Sequence, residues 1–103
     1  MTTLEQSTTE QFRKLLLQRV EPLEIKVFGS RARGDADVES DLDIVVVVET
    51  VNIEIDRFIS DCAWEAGFEH GMIISPLVYT REVYEREALS PLMRSIDAEG
   101  VMV

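Results

Sequence analysis

At 103 residues, the chain is expected to form one domain, with room for a real core but little for a separate substrate-binding domain. Hydrophobic residues make up 46% and charged residues 29%, which fits a globular protein and excludes a disordered one. Net charge is −10, from twenty acids against ten bases, and no Lys/Arg run exists, which argues against stable polynucleotide binding. The longest apolar run, Ile44 to Val48, is strand-sized, so no membrane span is expected. The N-terminus lacks the basic and apolar regions of a signal peptide, and a lone cysteine, Cys62, fits a reducing compartment. These features predict a cytoplasmic protein.

The first helix is predicted over about Thr9 to Val20, with Ser7/Glu10 or Thr8/Gln11 as a capping box and Pro22 as its stop. Phe12, Leu15, Leu16 and Val20 follow helical spacing. Leu23 to Phe28 reads as a strand, broken by Gly29-Ser30. Ser30 to Gly34 reads as a short helical turn and Asp35 to Ser40 as a polar loop. Asp41 to Val48 is the second strand, its valine-rich end buried on both faces.

Asn52 is a good N-cap for a second long helix. Ile55, Phe58, Ile59, Cys62, Ala63 and Ala66 give that helix its apolar stripe, and Gly67 is its predicted end. Cys62 therefore reads as core. Trp64 lies off the stripe, where it serves either an interface or boundary packing. Met72 to Tyr79 is a third strand, and Pro76 makes it an edge strand or a bulged one. His70 is the only histidine and has no cysteine beside it, so a zinc site is not expected. Thr80 caps a helix to about Leu89. Ser90-Pro91 opens a last helix with Leu92, Met93 and Ile96 on its apolar face, and Val101 to Val103 closes the chain as an extended segment. The predicted fold class is α+β, a small mixed sheet with helices packed on it.

The chemistry concentrates between Gly29 and Asp43. Residues i and i+2 of a strand share a face, so Asp41 and Asp43 project together with α-carbons roughly 6–7 Å apart. Leu42 and Ile44 point the other way, into the core. Two adjacent carboxylates repel and are best relieved by a cation, and such oxygen donors suit Mg²⁺ or Mn²⁺ completed by phosphate oxygens. At the other end, Gly29 permits close approach to the backbone, and the following N–H groups and the Ser30 hydroxyl favour an anion. Arg31 and Arg33 add positive charge, although residues two apart on a helix cannot both aim at one phosphate.

Gly29-Ser30, ten intervening residues and then Asp41-Leu42-Asp43 resemble the signature of the DNA polymerase β-like nucleotidyltransferase superfamily. The run Gly29-Ser30-Arg31-Ala32-Arg33-Gly34 resembles its minimal nucleotidyltransferase (MNT) members, which are commonly paired with a helical HEPN partner in toxin–antitoxin modules. The resemblance implies the nucleotidyltransferase fold. It implies that Gly29 and Ser30 hold the β- and γ-phosphates of ATP or another nucleoside triphosphate, with Arg33 as the better of the two arginines for nucleotide binding. Asp41 and Asp43 would be both catalytic residues and metal ligands. The implied reaction moves a nucleoside monophosphate to a hydroxyl acceptor, on a HEPN-type partner or within a homo-oligomer.

One departure stands out. The superfamily carries a third carboxylate on the strand after the helix, and Met72 to Tyr79 contains no acid; Ser75 is the polar residue near its middle. Two functions therefore stand side by side. One is a metal-dependent nucleotidyltransferase acting on a protein partner. The other is a weak or inactive module of the same fold that neutralises the partner by covering it, which the missing acid favours. A stand-alone acidic domain that binds divalent metal is a third reading, and it needs the two aspartates alone.

Overall fold

The computed structural model describes residues 1–103. Four strands form one sheet: β1 (Glu24–Phe28), β2 (Leu42–Val48), β3 (Ile74–Thr80) and β4 (Val101–Met102), in the order β3-β2-β1-β4. β1 lies antiparallel to both β2 and β4, whereas β2 and β3 run parallel. The parallel pair is joined by the long helix α3 (Ile53–His70), as a parallel connection requires. The remaining helices are α1 (Thr3–Leu16), the single turn α2 (Ser30–Arg33), α4 (Arg81–Arg86) and α5 (Pro91–Glu99). The mixed sheet and its packed helices match the fold class expected from the sequence.

Strand alternation divides the core. Leu42, Ile44, Val46 and Val48 of β2 join Ile25 and Val27 of β1 on one face. They pack with Phe12 and Leu16 of α1 and with Ile59, Cys62, Ala63 and Ala66 of α3. Val45 and Val47 point to the other face and meet Met93 and Ile96 of α5. The valine run is thus buried on both sides, as its composition predicts. Full burial of one such side chain stabilises by roughly 1.5–3 kcal/mol. Cys62 is a core residue; burial first, then the nearby Glu65 and Asp61 charges, push its thiol up to about 11. No helix is long and apolar enough to cross a membrane.

Four helix boundaries differ from the sequence reading. α1 begins at Thr3, six residues before the expected start, because Thr2 and Glu5 form the capping box. Glu5 N–H donates to Thr2 Oγ1 (3.1 Å), and Thr2 N–H donates to Glu5 Oε1 (2.7 Å). Thr8 and Thr9 lie inside the helix, where their hydroxyls donate to the Leu4 and Glu5 carbonyls and are buried without an unmet bond. The helix ends at Leu16, and Val20 reaches the core from the turn that follows.

α3 does not stop at Gly67. It runs to His70 and is capped by Gly71 in the left-handed conformation, φ 66°. Gly67 serves packing instead, since a β-carbon there would run into the Met72 carbonyl oxygen. α4 ends at Arg86 rather than near Leu89, and Leu92 of α5 is exposed although it was expected on the apolar face. Pro76 sits on β3, which is an edge strand as the sequence predicts.

Gly67→Ala tests the packing role. In an ordinary helix interior this change stabilises by about 1 kcal/mol. Here it is expected to destabilise by about 1–3 kcal/mol, because the new methyl overpacks against backbone. Urea denaturation measures the sign directly.

Candidate functional site

The site forms where β1 ends and β2 begins. Phe28 pairs with Asp43 in the ladder, so the last residue of β1 lies beside the second aspartate. Gly29 then takes φ 76° and ψ −159°, a conformation that side chains disfavour. A β-carbon on Gly29 would lie 2.5 Å from Asp43 Oδ2. The glycine therefore lets the Asp43 carboxylate lie against the backbone turn. α2 follows as one turn, closed by Arg33 N–H to Gly29 O (3.0 Å) and ended by Gly34 at φ 86°. Ser30 opens this turn and is partly buried.

Asp41 stands just before β2 and is exposed, while Asp43 is partly buried. Leu42 and Ile44 are fully buried on the opposite face, as the alternation requires. Ser75 of β3 is the ladder partner of Asp43, and its hydroxyl donates to Asp41 Oδ2 at 2.9 Å. The three side chains therefore gather at one end of the sheet. Burial pushes the Asp43 carboxyl above its usual range, the Asp41 charge pushes it further, and Arg33 offsets this in part. No group of three or more acids, histidines or cysteines is arranged to hold a metal ion, so the acid cluster is a pair.

The two arginines part company. Arg33 is exposed and bonds Asp35 (3.3 Å) and Glu99 of α5 (3.1 Å). The Glu99 and Asp35 bonds hold its guanidinium firmly protonated. Arg31 turns inward. Its Nη1 meets Glu5 Oε2 at 3.0 Å, and both side chains are nearly buried. Its Nε donates to Ser40 O at 2.9 Å, and its Nη2 donates to Asp37 O at 3.3 Å. Arg31 thus ties α1 and α2 to the loop that delivers Asp41. The sequence alone suggests Arg31 as charge beside a pocket; in the fold its partner is Glu5. The signal was present as Thr2-Thr3-Leu4-Glu5, which has capping-box spacing.

Removing one partner of a buried pair leaves an uncompensated charge, so Arg31→Ala is expected to cost about 3–5 kcal/mol in a denaturant melt. Burial alone would raise the Glu5 carboxyl, but donors from Thr2 and Arg31 outweigh it and hold the group below its ordinary 4.5. A depressed carboxylate contributes stability above its unfolded value and loses it as pH falls through the folded value. Stability is therefore expected to fall on acidification below pH 4.5, and Glu5→Gln to flatten that limb. Melting temperature against pH for both chains checks this.

Residues 9–95 match the family model described as nucleotidyltransferase domain. Two relatives from Methanocaldococcus jannaschii carry names as candidate protein adenylyltransferases. One is 34% identical over 58 residues, covering 55% of this chain and 59% of the relative. The other is 32% identical over 76 residues, covering 74% of this chain and 72% of the relative. Among solved structures, a toxin–antitoxin with AMP-PNP superposes with TM-score 0.65 at 22% identity, over 90% of this chain and 69% of that one. A structure described as a minimal nucleotidyltransferase superposes with TM-score 0.64 at 22% identity, over 96% of this chain and 95% of that one. At that identity the structures show a shared fold. The family match covers most of the sequence, and the chain belongs to the nucleotidyltransferase domain family.

Proposed function

We propose that residues 1–103 act as one nucleotidyltransferase domain that moves a nucleoside monophosphate from ATP, or another nucleoside triphosphate, to a hydroxyl on a helical HEPN-type toxin, and so serves as an antitoxin in the cytoplasm. The observation that carries this reading is the Asp41–Asp43 pair set against the Gly29 turn. Asp41 and Asp43 are hard oxygen donors crowded together with no cation of the protein between them, which fits Mg²⁺ or Mn²⁺. When bound, the metal supplies charge neutralisation for the triphosphate and a lowered acceptor pKa. Gly29 and Ser30 accept the β- and γ-phosphates at the start of α2. Arg33 joins them by exchanging Asp35 or Glu99 for a phosphate oxygen.

In the reaction, the acceptor oxygen bonds to the α-phosphorus while the bond between that phosphorus and the bridging oxygen to the β-phosphate breaks. Pyrophosphate leaves, and the acceptor proton passes to water. The names of the two archaeal relatives support a protein acceptor, and the toxin–antitoxin neighbours support a toxin partner.

Ser75 favours a second reading. It is the polar residue near the middle of the strand on which the resemblance leads one to expect an acid, and its hydroxyl is already bonded to Asp41. On that reading the domain binds nucleotide and covers its partner without transfer.

Incubation with α-labelled ATP, Mg²⁺ and a HEPN-type protein separates the two. Slow labelling of the partner is expected, lost at least about 100-fold in Asp41→Asn with Asp43→Asn and raised at least about tenfold by Ser75→Asp, which restores an acid within reach of the acceptor. Absence of label with wild type and Ser75→Asp alike, with the partner still inhibited by the double Asn variant, would establish the covering role instead.

A further inference from the structure

A second surface lies on the other side of β3. The carboxyl half of α3 and the start of β3 enclose an open groove of about 590 Å³, lined by Trp64, Phe68, Met72, Ile73, Ile74 and Pro76. Trp64, Phe68 and Ile73 are each about 70% exposed (69%, 73% and 68%). The two aromatic rings stack at 5.1 Å with an 11° interplanar angle. Such a preformed aromatic pair beside an apolar groove offers contact area at low entropic cost, because its members already fix one another.

The surroundings select the occupant. Asp61, Glu65 and Glu69 are exposed and follow one another at intervals of four on α3, alongside the row that holds Trp64 and Phe68. A second copy of the chain docking with its α3 antiparallel would bring two such acidic rows together, and in either orientation each molecule carries −10. Strand addition on β3 is also opposed, since Pro76 has no N–H to offer in the exposed edge. What remains is a partner that inserts apolar side chains and presents cations to the acidic row.

We infer that the Trp64–Phe68 groove is the docking surface for a basic amphipathic helix of a partner protein. Its apolar residues fill the groove at helical spacing, and its Lys or Arg residues face Asp61, Glu65 and Glu69. β3 connects this surface to the carboxylates. Ile74 and Pro76 line the groove, and Ser75 between them bonds Asp41. A partner held here is thus seated on the strand that borders the site. The inference deepens the partner half of the proposed function and stands whether or not transfer occurs.

Trp64 is the sole tryptophan and reports on its own surface. The probe is a synthetic helix with leucine at i, i+3, i+4 and i+7 and lysine elsewhere, with a glutamate-for-lysine counterpart as control. A saturable blue shift of Trp64 emission is expected with the lysine helix and none with the glutamate helix. Anisotropy of the labelled lysine helix is expected to show at least about tenfold weaker binding to Trp64→Ala with Phe68→Ala, whose unchanged far-UV circular dichroism certifies folding. Asp61→Lys with Glu65→Lys is expected to reverse the preference between the two helices. Equal affinity for wild type and the aromatic double variant would reduce the binding to general attraction by an acidic chain and overturn the inference. So would a concentration-dependent blue shift of the chain alone, with dimers in sedimentation, which would assign the groove to a second copy.

Discussion

Arg31 has an unusual burden for a residue in a four-residue helix. Its guanidinium is nearly buried and bonds Glu5 from α1, Ser40 and Asp37 from the loop before β2, and, more weakly, Val38 at 3.5 Å. Burying two charges costs several kcal/mol each, and the cost is offset only when geometry and hydrogen bonds are good. Here the conditions are met on both sides. Arg31 spends its donors on carbonyls as well as on the carboxylate, and Glu5 receives the Thr2 backbone N–H on its other oxygen. The start of α1, the turn after β1 and the approach to Asp41 are therefore set by one ion pair. The loop closes a turn of its own, in which the Glu39 N–H and the Ser40 hydroxyl donate to Asp37 Oδ1, and Arg31 anchors that turn to α1.

The carboxylate end stands in tension with that order. Asp43 is pressed against Gly29, partly desolvated and beside Asp41, so its ionised form is disfavoured in the fold. A carboxyl with a raised folded value detracts from stability as pH rises through that value, the reverse of Glu5. Glu5 and Asp43 thus act in opposite directions at neutral pH, one supporting the frame and one strained within it. Such strain is expected where a site is built to receive a cation rather than to stabilise the apo fold. Ser75 donates to Asp41 from the adjoining strand, where a third acid would deepen the strain.

The motif and the sheet were legible because their signals are local. Strand alternation placed Asp43 opposite Leu42 and Ile44, the valine run announced burial on two faces, and Pro76 announced an edge. Asn52, Thr80 and Ser90 marked helix starts correctly because capping is decided within three residues. What escaped was decided across distance. Glu5 and Arg31 are 26 positions apart, and Ser75 and Asp41 are 34 apart, so no spacing rule links them. Gly67 reads as the end of α3 in the sequence, but it lies inside the helix against the backbone of Met72, a contact no helical pattern contains, and Gly71 is the cap. The start of α1 was a different kind of miss, since several hydroxyl residues competed as caps and the true one lay nearest the terminus.

The central claim is that Asp41 and Asp43 form the metal–triphosphate pocket at the Gly29 turn. A crystal structure with Mn²⁺ and a non-hydrolysable ATP analogue tests it most directly. Anomalous density contacting both carboxylates, with the terminal phosphates over Gly29 and Ser30, is the predicted result. Anomalous density elsewhere, or nucleotide bound away from the Gly29 turn, would contradict it.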